Sequence, residues 1–115
     1  MYISLPLFTD LTVIPKNQAR LLNEVVTQSD PHTNVGFISY EQTTPSQAQR
    51  IREDIRNLVK LGYVRKYPMT KASVSMKAKL IKHNRSISFY MLNPIHQHAN
   101  NADREGLKNI WLLLR

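Results

Sequence analysis

The sequence predicts an α+β fold, and three observations carry that reading. The stretch from Thr44 to Gly62 is a helix with both ends written into it. Short β-prone runs lie on either side of this helix. All of the chain's excess positive charge falls on the segment that begins with it: of 16 Lys and Arg, eleven lie between Thr43 and Arg85, against only Glu53 and Asp54.

Residues 1–14 read as an N-terminal arm. Met1 to Phe8 is apolar, but Pro6 argues against a central strand. Pro15 opens a helix running to about Gln28, with Ala19, Leu22, Val25 and Val26 on its buried side. The turn formers Ser29 to Asn34 end it, and Val35 to Tyr40 is a short β-prone run. Glu41, Gln42 and Thr43 then leave little room for a further helix.

Thr44 is suited to cap the next helix, because its hydroxyl can accept from the Gln47 amide while Gln47 reaches back in a capping box. Pro45 at the first helical position loses no hydrogen bond, and Gly62 can take the positive φ that closes a helix. Ala48, Ile51, Ile55, Leu58 and Val59 make the apolar stripe. At 100° per residue the opposite face carries Ser46, Gln49, Arg50, Glu53 and Asn57.

Tyr63 to Tyr67 reads as a strand, and Pro68 to Lys71 as a turn. Val74 to Leu80 alternates apolar and polar residues, which predicts a strand with Lys77 and Lys79 on its wet face; a helix beginning at Ser73 matches fewer positions. His83 to Arg85 turns the chain into a returning strand, Ser86 to Leu92. A polar loop from His96 to Ala102 precedes a terminal helix striped by Leu107, Ile110, Trp111 and Leu114. The expected architecture is therefore a winged helix-turn-helix with an extended basic β-hairpin wing and a C-terminal helix. Its core spans 15–92, with the C-terminal loop and helix at 93–115.

Several of these segments together resemble winged-helix plasmid replication proteins of the RepL type. They are Leu11 to Pro15 entering a helix, Asn34 to Ile38 after a proline-containing turn, Ile55 to Val64, and Tyr90 to Pro94. The resemblance spans about residues 10 to 95 and implies a winged-helix DNA-binding fold with a role in plasmid replication. The Leu-Val-x-x-Gly-Tyr-Val portion is shared with many winged-helix regulators of transcription.

Composition narrows the chemistry. A chain of 115 residues makes one domain with a real core, and its net charge of +8 attracts polyanions, nucleic acid foremost. The bland alternative for that charge is a solvated surface that aids solubility. With no cysteine there is neither disulfide nor thiolate chemistry, and three glycines leave little room for a nucleotide-cradling loop. Met1 to Phe8 lacks a basic leading region and is too short for a signal peptide or a membrane span, so a cytoplasmic chain is expected. His96 and His98 form an H-x-H pair without a third well-spaced ligand, so no metal or other cofactor is expected. No nucleophile elbow or HExxH motif is present, and the chain reads as a non-enzyme.

Gln47, Gln49, Arg50 and Glu53 are the candidate base contacts, since Gln can pair two-pronged with adenine and Arg with guanine, while Glu can accept from cytosine. Thr44, Ser46, Arg56 and Lys60 on the helix, and Lys71, Lys77, Lys79, Lys82 and Arg85 in the hairpin, are the candidate phosphate contacts. The hairpin lysines also suit a strand edge guarded against aggregation. Tyr63, Tyr67 and Tyr90 can stack on bases or pack in a sheet, and packing is the commoner use. Leu107, Ile110, Trp111 and Leu114 suit a homodimer interface or packing against the first helix. The leading expectation is a sequence-specific double-stranded DNA-binding protein regulating transcription or plasmid or phage replication by occupying a site. The alternatives are an RNA- or ribosome-binding basic protein and a winged-helix module that docks on a protein.

Overall fold

A computed structural model describes residues 2–3, 14–30, 32–94 and 104–114. The expected arm contributes β1 (Tyr2–Ile3), which pairs antiparallel with β2 (Ile14–Pro15); the His96–Ala102 loop lies outside the described residues. The remaining elements run α1 (Lys16–Gln28), β3 (Val35–Ser39), α2 (Pro45–Lys60), β4 (Val64–Lys66), a 3-10 turn (Met69–Lys71), α3 (Val74–Lys82), β5 (Ile87–Leu92) and α4 (Arg104–Leu113). The fold is α+β, built on a three-stranded antiparallel sheet in the order β3-β5-β4.

Alternation along the strands divides the core between the two faces of this sheet. One face presents Ile38, Val64, Tyr90 and Leu92 to Leu22 and Val25 of α1 and to Ile55 and Leu58 of α2. The other presents Val35, Phe37, Ile87, Phe89 and Met91 to Leu107, Trp111 and Leu114 of α4, with Met76 and Leu80 of α3 packed alongside. Burying each such large aliphatic or aromatic side chain contributes roughly 1.5–3 kcal/mol. Helix α1 lies so close to β3 that a Cβ on Gly36 would stand 2.1 Å from the Val25 carbonyl oxygen.

Both ends of α2 are as the sequence predicts. The Gln47 amide donates to Thr44 Oγ1 at 3.2 Å, and Gln47 Oε1 accepts from the Thr44 amide at 2.9 Å. At the other end Gly62 takes φ +84°, with the Tyr63 amide on the Leu58 carbonyl and the Gly62 amide on the Val59 carbonyl. This is a Schellman closure. One stripe residue differs: Val59 is substantially exposed. In place of a helix before α2 there is a turn at Glu41–Gln42, where Gln42 has φ 59°.

The strand expected at Val74 to Leu80 is instead α3, so no basic β-hairpin forms. Ser73 Oγ accepts from the Met76 amide and caps the helix, and the run Met-Lys-Ala-Lys-Leu consists of strong helix formers. Met76 and Leu80, read as alternate strand positions, are also four apart, which places both on one helical face. The two β-branched residues, Val74 and Ile81, point outward at 86% and 67% exposure. α3 is closed just beyond its end by Asn84, whose φ of 53° suits a Schellman closure with the Arg85 amide on the Leu80 carbonyl. β5 pairs with β4 and β3 on its two sides.

The helix α4 packs on the second face of its own sheet, and Arg65 fastens it there. The Arg65 guanidinium lies 4.4 Å from the Trp111 ring centroid and donates to the carbonyls of Trp111 and Leu114 at 2.5 and 2.9 Å. It thus combines a cation–π contact with capping of the helix C-terminus.

Two outcomes test this packing. Gly36→Ala forces a helix backbone away from a strand backbone and should lower unfolding free energy by about 1–3 kcal/mol in urea denaturation; unchanged stability would rule out the close approach. Arg65→Met should red-shift the emission of Trp111, the only tryptophan, by loosening α4 in an otherwise folded chain. Emission identical to that of the parent chain would mean that α4 holds without Arg65.

Candidate nucleic-acid interface

With Ala48, Ile55 and Leu58 turned into the core, α2 exposes Ser46, Gln49, Arg50, Glu53, Arg56 and Lys60. These residues lie within about half the helix circumference and form one continuous polar surface. Its side chains are not equally free. Gln49 Nε2 donates to Glu53 Oε1 at 3.2 Å, an i,i+4 pair in the middle of the face. Gln47 turns its carbonyl oxygen back into the capping box, which occupies the acceptor that a two-pronged adenine contact requires. Thr44, expected to meet phosphate, has its hydroxyl committed to the same box. Asn57 leaves the face altogether, donating to Gln18 Oε1 of α1 at 2.7 Å. Gln18 is itself buried, so this bond satisfies a polar group between the two helices.

Arg50 stands where the exposed face meets a groove of about 400 Å³ between α1 and α2. Arg20, Glu24, Gln47, Arg50 and Asp54 rim this groove, and Leu21 and Ile51 form its floor. Of the four expected base contacts, Arg50 and the Gln49–Glu53 pair lie on the exposed surface, and Gln47 sits at its capped edge.

The cations assigned to a hairpin are redistributed by α3. Met76 and Leu80 pack on the sheet face opposite α2, so the exposed Lys77 and Lys82 belong to a different side of the molecule from the α2 face. Lys79 extends over the Phe37 ring at 5.9 Å from its centroid. Lys71 lies in the 3-10 turn, where its carbonyl accepts from the Tyr67 hydroxyl at 3.4 Å. Arg85 alone of this group comes round to the α2 side.

There it joins Arg52 and Lys66, which the charge count included but no site assignment singled out. A cleft of about 370 Å³ opens where α2 leaves the first sheet face uncovered, lined by Arg52, Lys66, Arg85, Ser86, Ser88, Tyr40 and Tyr90. The alternation of β5 turns Ser86, Ser88 and Tyr90 to this face, and strand pairing sets Lys66 opposite Tyr90. Arg52 lies 5.8 Å from the Tyr40 ring centroid. Burial first, then the adjoining Tyr40 hydroxyl, holds the Tyr90 hydroxyl well above the ordinary tyrosine range, so it stays protonated as a hydrogen-bond donor. The Ser86–Ser88–Tyr90 alternation was visible in the sequence; the register bringing Lys66 and Arg52 beside it was not.

Of the three candidate stacking tyrosines, Tyr63 and Tyr90 are buried and Tyr67 packs against the second core, so all three have packing roles. Leu107, Trp111 and Leu114, expected as a dimer face or as packing on the first helix, are spent on the chain's own sheet instead. α4 leaves Ile110, Leu112 and Leu113 exposed. His96 and His98 lie outside the described residues; among those described, no three His, Asp or Glu side chains are grouped to hold a metal ion. No helix among the described residues is long and apolar enough to cross a membrane.

The capping box has a measurable weight: Thr44→Ala should destabilise the fold by about 1 kcal/mol in chemical denaturation. Gln47→Ala should act in the same direction, because both hydrogen bonds of the box depend on these two residues. A Gln47→Ala chain as stable as the parent would free Gln47 for another role. Comparison of the chain with protein-family models, with curated proteins and with solved structures finds no match.

Proposed function

We propose that this chain is a sequence-specific double-stranded DNA-binding protein that acts by occupying its site, with α2 as the reading helix. The observation that carries this reading is the exposed face of α2 from Ser46 to Lys60. It displays Arg50 and the Gln49–Glu53 pair beside a cleft walled by Arg52, Lys66 and Arg85. A rigid helix with both termini capped holds such side chains in the fixed spacing that groove recognition demands. The neighbouring cations supply the attraction for phosphate that is common to every DNA sequence.

In this proposal the architecture is an abbreviated winged helix. The element order and the β3-β5-β4 sheet are in keeping with it. The Tyr40–Thr44 turn stands in place of the first helix of a helix-turn-helix, and α3 in place of the wing hairpin. Regulation of transcription or of plasmid or phage replication is the role that suits a binder without chemistry.

Arg50→Glu should abolish preference for the cognate duplex while leaving the far-ultraviolet circular dichroism unchanged, because Arg50 is exposed and makes no core contact. The cognate duplex is obtained by selecting bound sequences from a random pool. If the Arg50→Glu chain selects the same motif with the same affinity, α2 is not the reading helix. A motif with two half-sites would assign the protein as a homodimer on DNA, and a single half-site as a monomer. Retention of structured RNA over duplex DNA at matched salt would replace the DNA proposal with an RNA-binding one.

A further inference from the structure

The cleft between α2 and the start of β5 has features that reading a groove does not require. Three cations from three separate elements converge on it: Arg52 from α2, Lys66 from the end of β4 and Arg85 from the turn after α3. No Asp or Glu lines it, and none of the three cations is ion-paired with a carboxylate among the described residues. Like charges gathered without a counter-ion repel, and an anion between them relieves that repulsion. The remaining polar lining is hydroxyl: Ser86, Ser88, Tyr40 and Tyr90. Ser86 Oγ donates to the Asn84 carbonyl at 3.4 Å and the buried Tyr90 hydroxyl is bonded to Tyr40, so Ser88 Oγ is the hydroxyl donor set among the cations to match a phosphate oxygen.

The backbone at Arg85 adds an independent sign. Its φ is 61°, directly after Asn84 at 53°, so two successive residues are left-handed. Asparagine tolerates that conformation and glycine takes it freely, but a long side chain is strained there. Arg85 keeps its long side chain at this strained position, and that side chain lines the cleft.

We propose that this cleft is a phosphodiester-binding subsite, which holds one backbone phosphate of a nucleic-acid strand between Arg52, Lys66 and Arg85. It rests on the nucleic-acid reading for the source of the phosphate, but not on α2 reading bases. Arg52, Lys66 and Arg85 supply charge-assisted hydrogen bonds, and the Ser88 hydroxyl adds a further donor.

The test uses the isotope-labelled full chain, with amide resonances followed at constant ionic strength during titration with inorganic phosphate, an unphosphorylated thymidine dinucleotide, or thymidine. The dinucleotide carries one internal phosphodiester and has no groove, so its binding is independent of duplex recognition. Phosphate and the dinucleotide should give saturable shifts centred on Arg52, Lys66, Ser86 and Ser88, and thymidine none. Arg85→Gly relieves the backbone strain, so it should leave the melting temperature essentially unchanged while weakening both ligands roughly tenfold. Lys66→Gln should weaken them similarly, and Lys77→Gln, across the sheet, should not. Saturation by phosphate without the dinucleotide would make this a free-anion site and overturn the assignment. Equal shifts with thymidine, shifts centred on α3, or undiminished affinity in both the Arg85→Gly and Lys66→Gln chains would overturn it as well. If the dinucleotide binds while Arg50→Glu leaves duplex selection intact, the subsite stands and the reading-helix proposal alone falls.

Discussion

The arrangement of this molecule depends on how closely α1 can approach β3. At Gly36 the absence of a side chain lets the Val25 carbonyl come within a distance no Cβ would allow. Because the helix sinks onto the strand there, Leu22 and Val25 are wholly buried and Ile38 and Leu92 close over them. α2 then packs against α1 and the sheet together, and the Gln18–Asn57 bond fixes the contact between the two helices. The face of α2 that meets solvent follows from its own apolar stripe, and where that face stands depends on how α1 is seated. Moving α1 outward by the width of a methyl group would shift the support under the whole exposed surface.

The second face of the sheet is organised differently, around a charge instead of a close contact. Arg65 occupies an inward-facing position on β4, paired with Met91, where alternation alone would favour an apolar residue. Its guanidinium is satisfied by the terminal carbonyls of α4 and by the Trp111 ring, so burial of its stem carries little polar penalty. A short strand, the last helix of the chain and their shared core are joined through one side chain.

Local features were legible wherever the chemistry was local. Thr44, Pro45, Gln47 and Gly62 specify the ends of α2 through hydrogen bonds that span at most five residues, and each forms as the sequence implies. The failure at Val74 to Leu80 has the same origin. Met76, Ala78 and Leu80 satisfy a period of two, while Met76 and Leu80 also satisfy a helical spacing, and the Ser73 cap and the helix propensity of the run tip the balance. The pairing of β5 with both β3 and β4 decided the matter, and pairings between distant segments are not written in a run of seven residues. The same distance effect hid the cleft: Arg52, Lys66 and Arg85 are far apart in the chain, and they converge through the packing of α2 and the register of β4 on β5. α4 was recognisable as an amphipathic helix, yet its apolar stripe did not identify the surface that would receive it.

The placement of α3 and α2 on opposite faces of the sheet also bears on the rate of association. A polyanion diffusing toward this chain meets positive potential from Lys77 and Lys82 on one side as well as from Arg50, Arg52 and Arg85 on the other. Long-range attraction accelerates such encounters, but here it does not orient them uniquely. With α2 as the proposed reading helix, first contacts behind the sheet must dissociate or roll around the molecule before α2 faces the ligand. Salt weakens both kinds of encounter alike. On that proposal, electrostatics raises the number of encounters more than the fraction that are productive.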